Sequence, residues 1–170
     1  IAGGLEARSV LGSASSDVRG LVGRPLAAGD VLGAATDEVP VARLSARPAD
    51  DDRRRPIRLV PGPQYDRAAF DALCAGAFTV GIGDRIGVRL DGPPVPGGEI
   101  LSESPPLGAL QVTPGGVPII LLADRLRTAG YTKPAVVHPD DIGRVAQLRA
   151  GDPVSFTPVP APPHGWYLDL

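Results

Sequence analysis

The side chains able to bind a polar ligand or move a proton gather in one stretch, Gly83 to Val137. Within it Arg85, Arg89, Glu103, Gln111, Asp124, Arg125 and Tyr131 stand at or near the ends of short apolar runs. A guanidinium pairs with a carboxylate or carbonyl oxygen, a carboxylate accepts from N–H, and an amide or phenol fixes a ligand's orientation. Asp124-Arg125 stands out, because a charged pair ending an apolar strand either caps the turn or faces a cleft. Gly130-Tyr131 follows closely and brings an aromatic ring to the same rim.

Short strands must position these groups. Ile86, Val88 and Leu90 alternate with Arg85, Gly87, Arg89 and Asp91, the period of a half-buried strand with two arginines on its wet face. Glu99–Ser102 and Leu107–Val112 read as further strands, and Thr113-Pro114-Gly115-Gly116 as a hairpin-type turn. Val117–Ala123 is apolar on both faces and predicts the most buried strand of the chain. Upstream lie a strand over Ile57–Val60, a rigid turn at Pro61-Gly62-Pro63-Gln64 and a helix over Asp66–Ala75 with Phe70, Leu73 and Cys74 on one face. Phe78-Thr79-Val80 begins another strand; Ala135–Val137 is one more, and Pro139-Asp140-Asp141 opens a helix through Gln147.

The N-terminal region offers less. Leu5–Leu11 predicts a short strand, and Ser13-Ala14-Ser15-Ser16-Asp17 is a loop or a helix N-cap before Val18. An amidase nucleophile among those serines would need a base, yet Lys133 is the only lysine and no Gly-Gly-Ser-Ser pattern is present. Leu26–Leu32 has a near copy in Leu148–Val154, each reading as a Gly-Asp turn feeding a strand. Thr36–Arg58 is a polar, solvated loop carrying the opposed charge blocks Asp50–Asp52 and Arg53–Arg55.

Composition narrows the class. With 22 Gly and 20 Pro in 170 residues the chain is rich in turns and short elements, which points to a mainly β fold. A formal charge of −2 gives no basis for a nucleic-acid or anionic-membrane partner. Cys74 is the only cysteine, fitting a reducing, cytoplasmic setting, and helical spacing reads it as a core residue rather than a nucleophile. His138 and His164, without clustered Cys or carboxylates, make no metal site. Neither a P-loop nor a dinucleotide fingerprint occurs.

Longer blocks carry a resemblance. Asp84–Pro93, Ile100–Glu103, Pro106–Val112, Pro118–Arg125 and Gly130-Tyr131 are similar to the biotin-dependent carboxyltransferase family, as are Ala2–Gly4, Leu11–Asp17, Gly23–Leu26, Ala28–Leu32 and Leu59–Gln64 upstream. That family takes in allophanate hydrolase subunit 2, the C subunit of 5-oxoprolinase, KipA-type regulators and part of the carboxyltransferase domain of urea carboxylase. The resemblance implies a cyclophilin-like β-barrel with two short helices. It assigns residues 1–157 to the C-terminal portion of an allophanate hydrolase subunit 2-type domain, followed by a Pro-rich tail over 158–170, and implies that strands lie upstream. A partial barrel would have open edges and be stable only with that portion or a partner.

The implied function is a subunit of a heteromeric amide-processing enzyme, in ATP-dependent opening of 5-oxoproline or biotin-dependent carboxyl transfer to a urea-like amide. The alternative is a non-catalytic KipA-type module acting on a partner protein. Either way the resemblance implies a subunit-1-type partner and a small amide or ureido ligand. No Met flanks Lys133, so biotin or ATP would come on a partner chain and none is bound directly. For such a ligand, position and chemistry nominate Asp124, Arg125, Tyr131 and Glu103 as catalytic and Arg85, Arg89 and Gln111 as substrate-binding. The competing reading makes most of them turn caps and rim salt bridges.

Overall fold

The computed structural model describes residues 4–16, 22–35 and 55–160. The chain divides into two compact units, Ile1–Ala49 and Asp50–Leu170. The readings that fall on Asp17–Leu21, on the polar loop up to Arg54, and on the tail with His164 and Trp166-Tyr167-Leu168 lie outside the described residues.

In the first unit the strand expected over Leu5–Leu11 is absent; isolated antiparallel bridges link Leu5 with Ala34 and Val10 with Ser13. Leu11 (φ 51) and Gly12 (φ 80) form the tight corner of the second bridge, so the chain reverses where a strand would continue. The two near-copies do form one turn. Ala27–Asp30 and Arg149–Asp152 each place glycine at positive φ (Gly29 94, Gly151 87), and the aspartate carboxylate accepts the first residue's N–H (2.7 and 2.8 Å). Only the second feeds a strand.

The second unit is a barrel. Its strands are β1 (Ile57–Pro61), β2 (Phe78–Gly83), β3 (Gly87–Asp91), β4 (Glu99–Glu103), β5 (Ala109–Val112), β6 (Pro118–Leu121), β7 (Ala129–Val137), β8 (Pro153–Val154) and β9 (Phe156–Pro158). The helices are α1 (Arg67–Ala75) and α2 (Pro139–Val145). Pairing runs β8-β2-β3-β6-β5-β7-β1-β9, with β4 added on β7. The ends of that path, β8 and β9, are separated only by Ser155, whose carbonyl accepts the N–H of Ile57 (2.8 Å). One short segment therefore bounds both ends of that path, while β4, paired only with β7, keeps an open edge.

Alternation fills the interior. Ile57 and Leu59, Phe78 and Val80, Val88 and Leu90, Leu110 and Val112, Ala135 and Val137, and Val154 and Phe156 supply every second residue to one apolar cluster. Phe70 and Leu73 of α1 and Val145 of α2 join it. Helix α1 begins where Asp66 Oδ1 accepts the Ala69 N–H (2.9 Å), and the Tyr65 ring, just before that cap, packs on Phe70 (5.5 Å). The two short helices expected from the sequence are thus both present, as is the turn at Thr113–Gly116, closed by the Gly116 N–H on the Thr113 carbonyl.

Helix α2 is pinned to β1 by Asp141, which is fully buried. Its carboxylate accepts the Arg58 backbone N–H (2.9 Å), Arg58 Nε (3.1 Å) and an Arg58 terminal nitrogen (3.0 Å). Burial alone pushes this carboxyl up, but the Arg58 hydrogen bonds and the Arg58 and Arg144 charges together hold it below the usual range. With the folded value below the unfolded one, the stabilisation is present above about pH 4 and lost as pH falls through the folded value. Asp141→Ala should cost about 3–5 kcal/mol in urea melts at pH 7. The wild-type midpoint should also fall more steeply than that of Asp141→Asn as pH drops below about 4.

Candidate functional site

The site begins with an irregularity in β7. Ala135 of β7 faces Leu110 of β5 and Thr132 faces Val112, so β7 uses one more residue than its neighbour between these points. The extra residue falls at Lys133-Pro134, where a proline is tolerated because a bulge needs no ladder N–H. The sequence reading started this strand only at Ala135; it starts at Ala129, and Gly130 and Pro134 had hidden its first half. The turn after β1 seals the bulge, as Gly62 N–H donates to the Pro134 carbonyl (2.9 Å) and Gln64 N–H to the Lys133 carbonyl (3.2 Å). A Cβ at Gly62 would run into the Lys133 carbonyl, so the close approach requires glycine.

Lys133 is 0% exposed. Its ammonium donates to the Tyr131 carbonyl (3.0 Å) and pairs with Glu103 Oε1 on β4 (3.2 Å). Gln64 braces both partners, donating from Nε2 to Glu103 Oε1 (2.8 Å) and accepting the Lys133 N–H at Oε1 (3.3 Å). The Gln64 hydrogen bond first, then that of Lys133, hold the Glu103 carboxyl below its ordinary pKa. From the sequence Lys133 is considered as a base for the serine cluster and as a biotin-attachment lysine, and neither reading gives it this place. Its signal was compositional, a single lysine among 17 basic residues.

Beside this network, where β4 lies on β7, runs a groove of about 430 Å³. Tyr131, Gly130 and Thr128 line one part, and Glu99, Ile100 and Ser102 of β4 another. Gln111 of β5 also lines it; the residue is 6% exposed, and its carboxamide has no hydrogen-bond partner among the described residues. Its strand neighbours Leu110 and Val112 point into the barrel, so Gln111 faces outward.

A family model described as the carboxyltransferase domain, subdomain A and B, matches residues 1–158. The chain belongs to the carboxyltransferase-domain family. Two curated relatives, the C subunits of the 5-oxoprolinases of Haemophilus influenzae and Escherichia coli, are 34% and 33% identical over 94% and 92% of this chain. The chain spans about half, 54%, of the length of each. The solved structure of TTHA0988 is similar with a TM-score of 0.77 and 51% identity, over 91% of this chain and 31% of that one. Kluyveromyces lactis urea carboxylase is similar with a TM-score of 0.69 and 26% identity, over 92% and 17%. The family resemblance and the mainly β barrel with two helices drawn from the sequence both hold.

Within the barrel the seven nominated residues separate. Gln111 and Tyr131 share the groove, and Glu103 sits in the Lys133 network beside it. Arg85 and Asp124 pair with each other instead (2.9 Å), both well exposed. Arg85 lines a second cavity of about 490 Å³ at the barrel end, bounded by Val88, Leu107, Leu122, Ile142 and Leu148. Arg125 donates from Nε to the Pro105 carbonyl (2.9 Å), a tie between two loops. Asp124-Arg125 and Tyr131 therefore do not form the single rim expected, because each charge of the pair has a different partner. Arg89 is exposed on β3, opposite Ile119 of β6.

The Lys133–Glu103 pair should respond asymmetrically to mutation. Glu103→Gln leaves a buried ammonium short of its counter-charge and should cost about 1–3 kcal/mol. Lys133→Met frees a half-exposed carboxylate to water and should change stability by less than about 1.5 kcal/mol. Chemical denaturation of the two single variants and of the double variant checks both values.

Proposed function

We propose that the chain is part of a subunit in a heteromeric amide-processing enzyme, of the same type as the C subunit of 5-oxoprolinase, and that the groove on β7 receives a small amide or ureido ligand. The observation that carries this reading is where polarity is buried. Of the described residues, Gln111, Lys133 and Asp141 are the buried polar or charged ones; the first lines the groove and the second holds the Tyr131 carbonyl at its edge. Asp141 is accounted for by Arg58. Burying polar side chains away from water costs free energy unless they are paired, so a groove bordered by them suits a polar planar ligand better than an apolar one.

Roles follow from position. Tyr131 supplies a ring against a planar ligand and Glu103 a carboxylate kept ionised by its neighbours. Arg127, exposed between the groove-lining Leu126 and Thr128, is placed to meet a carboxylate such as that of 5-oxoproline. Arg85 and Asp124 neutralise each other outside the groove. Fully buried Lys133 presents no amine for biotin attachment, so biotin would come on another chain, and a subunit-1-type partner completes the enzyme. Cys74, its thiol pushed up by burial and by Asp71, suits a cytoplasmic setting as an inert thiol.

The full-length protein assembled with its subunit-1-type partner should consume 5-oxoproline in the presence of ATP. Arg127→Ala should raise KM roughly ten- to a hundredfold, the loss of one charge-assisted hydrogen bond. A folded, assembled complex with no turnover would overturn the enzymatic reading in favour of a non-catalytic KipA-type module that controls its partner.

A further inference from the structure

We propose that Gln111 determines specificity in the groove by reading the edge of a cis amide, the arrangement found in lactams and cyclic ureas, in which N–H and C=O point the same way. The proposal rests on the groove being the ligand site.

Three observations converge on this residue. First, Gln111 is 6% exposed and lines the groove, yet its carboxamide has no hydrogen-bond partner among the described residues. A primary amide carries two donors and two acceptor lone pairs; those of Gln111 are not sealed in the interior but open to the groove, where a ligand can meet them. Second, the surrounding outer face does not demand polarity. Ala109 on the same strand face and Val136 opposite it are fully buried and apolar, so an aliphatic residue would satisfy packing there. Third, Tyr131 lines the same groove and offers a ring to a flat ligand.

The chemistry then selects the partner. One edge of the Gln111 carboxamide presents an N–H and a C=O side by side. A cis amide presents the complementary pair in the same spacing, so two parallel hydrogen bonds form at once. An open-chain secondary amide is trans, with its N–H and C=O on opposite sides, and makes only one of them. A carboxylate offers two acceptors and no donor, which leaves the Gln111 carbonyl unmet. Loss of one neutral hydrogen bond of such a pair corresponds to roughly tenfold in affinity.

Protein-observed NMR titrations of the full-length protein test this with 2-pyrrolidinone and 2-imidazolidinone as cis probes and N-methylacetamide as the trans probe. The cis probes should bind roughly tenfold more tightly and perturb the Tyr131 ring signals, identified with Tyr131→Phe. Gln111→Leu and Gln111→Glu should each remove that preference, and Gln111→Leu should melt close to the wild type because the amide it removes makes no hydrogen bond among the described residues. Equal binding of cis and trans probes at Tyr131 would overturn the role of Gln111 and leave the groove as a ligand site. Failure of every probe to perturb Tyr131 in the folded wild type would overturn the groove reading and this proposal with it. A large loss of stability in Gln111→Leu, with the cis preference retained in Gln111→Glu, would also overturn it, marking Gln111 as a packing residue.

Discussion

The extra residue in β7 is the constraint on which the rest of the barrel depends. Ala135 and Val137 point into the core, and strict alternation would send Lys133 in after them. An ammonium in that cluster, far from any counter-charge, would be prohibitively costly. The bulge turns Lys133 outward, returns Thr132 to register with Val112, and so lets one strand serve β1, β5 and β4. Gln64 and Gly62 fix the bulge from outside through the backbone of Lys133 and Pro134. A slip of one residue here would invert every side chain beyond it.

Among the described residues, buried polar groups fall into two kinds. Asp141 and Lys133 are paired: the first with Arg58 backbone and side chain, the second with Glu103 and a main-chain carbonyl. Such groups hold elements in fixed relation, α2 on β1 and β4 on β7, and their polarity is explained within the molecule. Gln111 is of the other kind, because its neighbours give its amide nothing to bind. Pairing separates scaffold from site here better than charge does. The most conspicuous charged pair in the sequence, Asp124-Arg125, turned out to be divided between an exposed ion pair and a loop tie.

What could be read from the sequence was whatever depends on neighbours along the chain. The alternation around Val88 and Leu90, the Asp66 cap with Phe70 and Leu73, the Pro139 start of α2 and the turn at Thr113–Gly116 are local signals, and the structure bears them out. Leu5–Leu11 misled because apolar residues there suggested a strand, while Gly12 at positive φ reverses the chain. The first half of β7 was illegible because Gly130 and Pro134 are poor strand residues whose places are set by a bulge and by partners far off in sequence. The same limit applied to the site. Gln111 and Tyr131 were recognisable as polar groups at strand ends, but Lys133 gained meaning only when folding placed Gln64 and Glu103 against it.

The clasp formed by β8 and β9 has a consequence in time. Ile57 pairs with Phe156, about a hundred residues later, so the first strand of the barrel must wait for the last. Contacts of such long sequence separation slow folding, placing barrels of this kind in the range of about milliseconds to seconds. Before residues 153–158 arrive, the outer edges of β1 and β2 lack the partners they have in the finished barrel. During that interval a nascent or partly unfolded chain presents two strand edges at once, the form most open to pairing with another copy of itself.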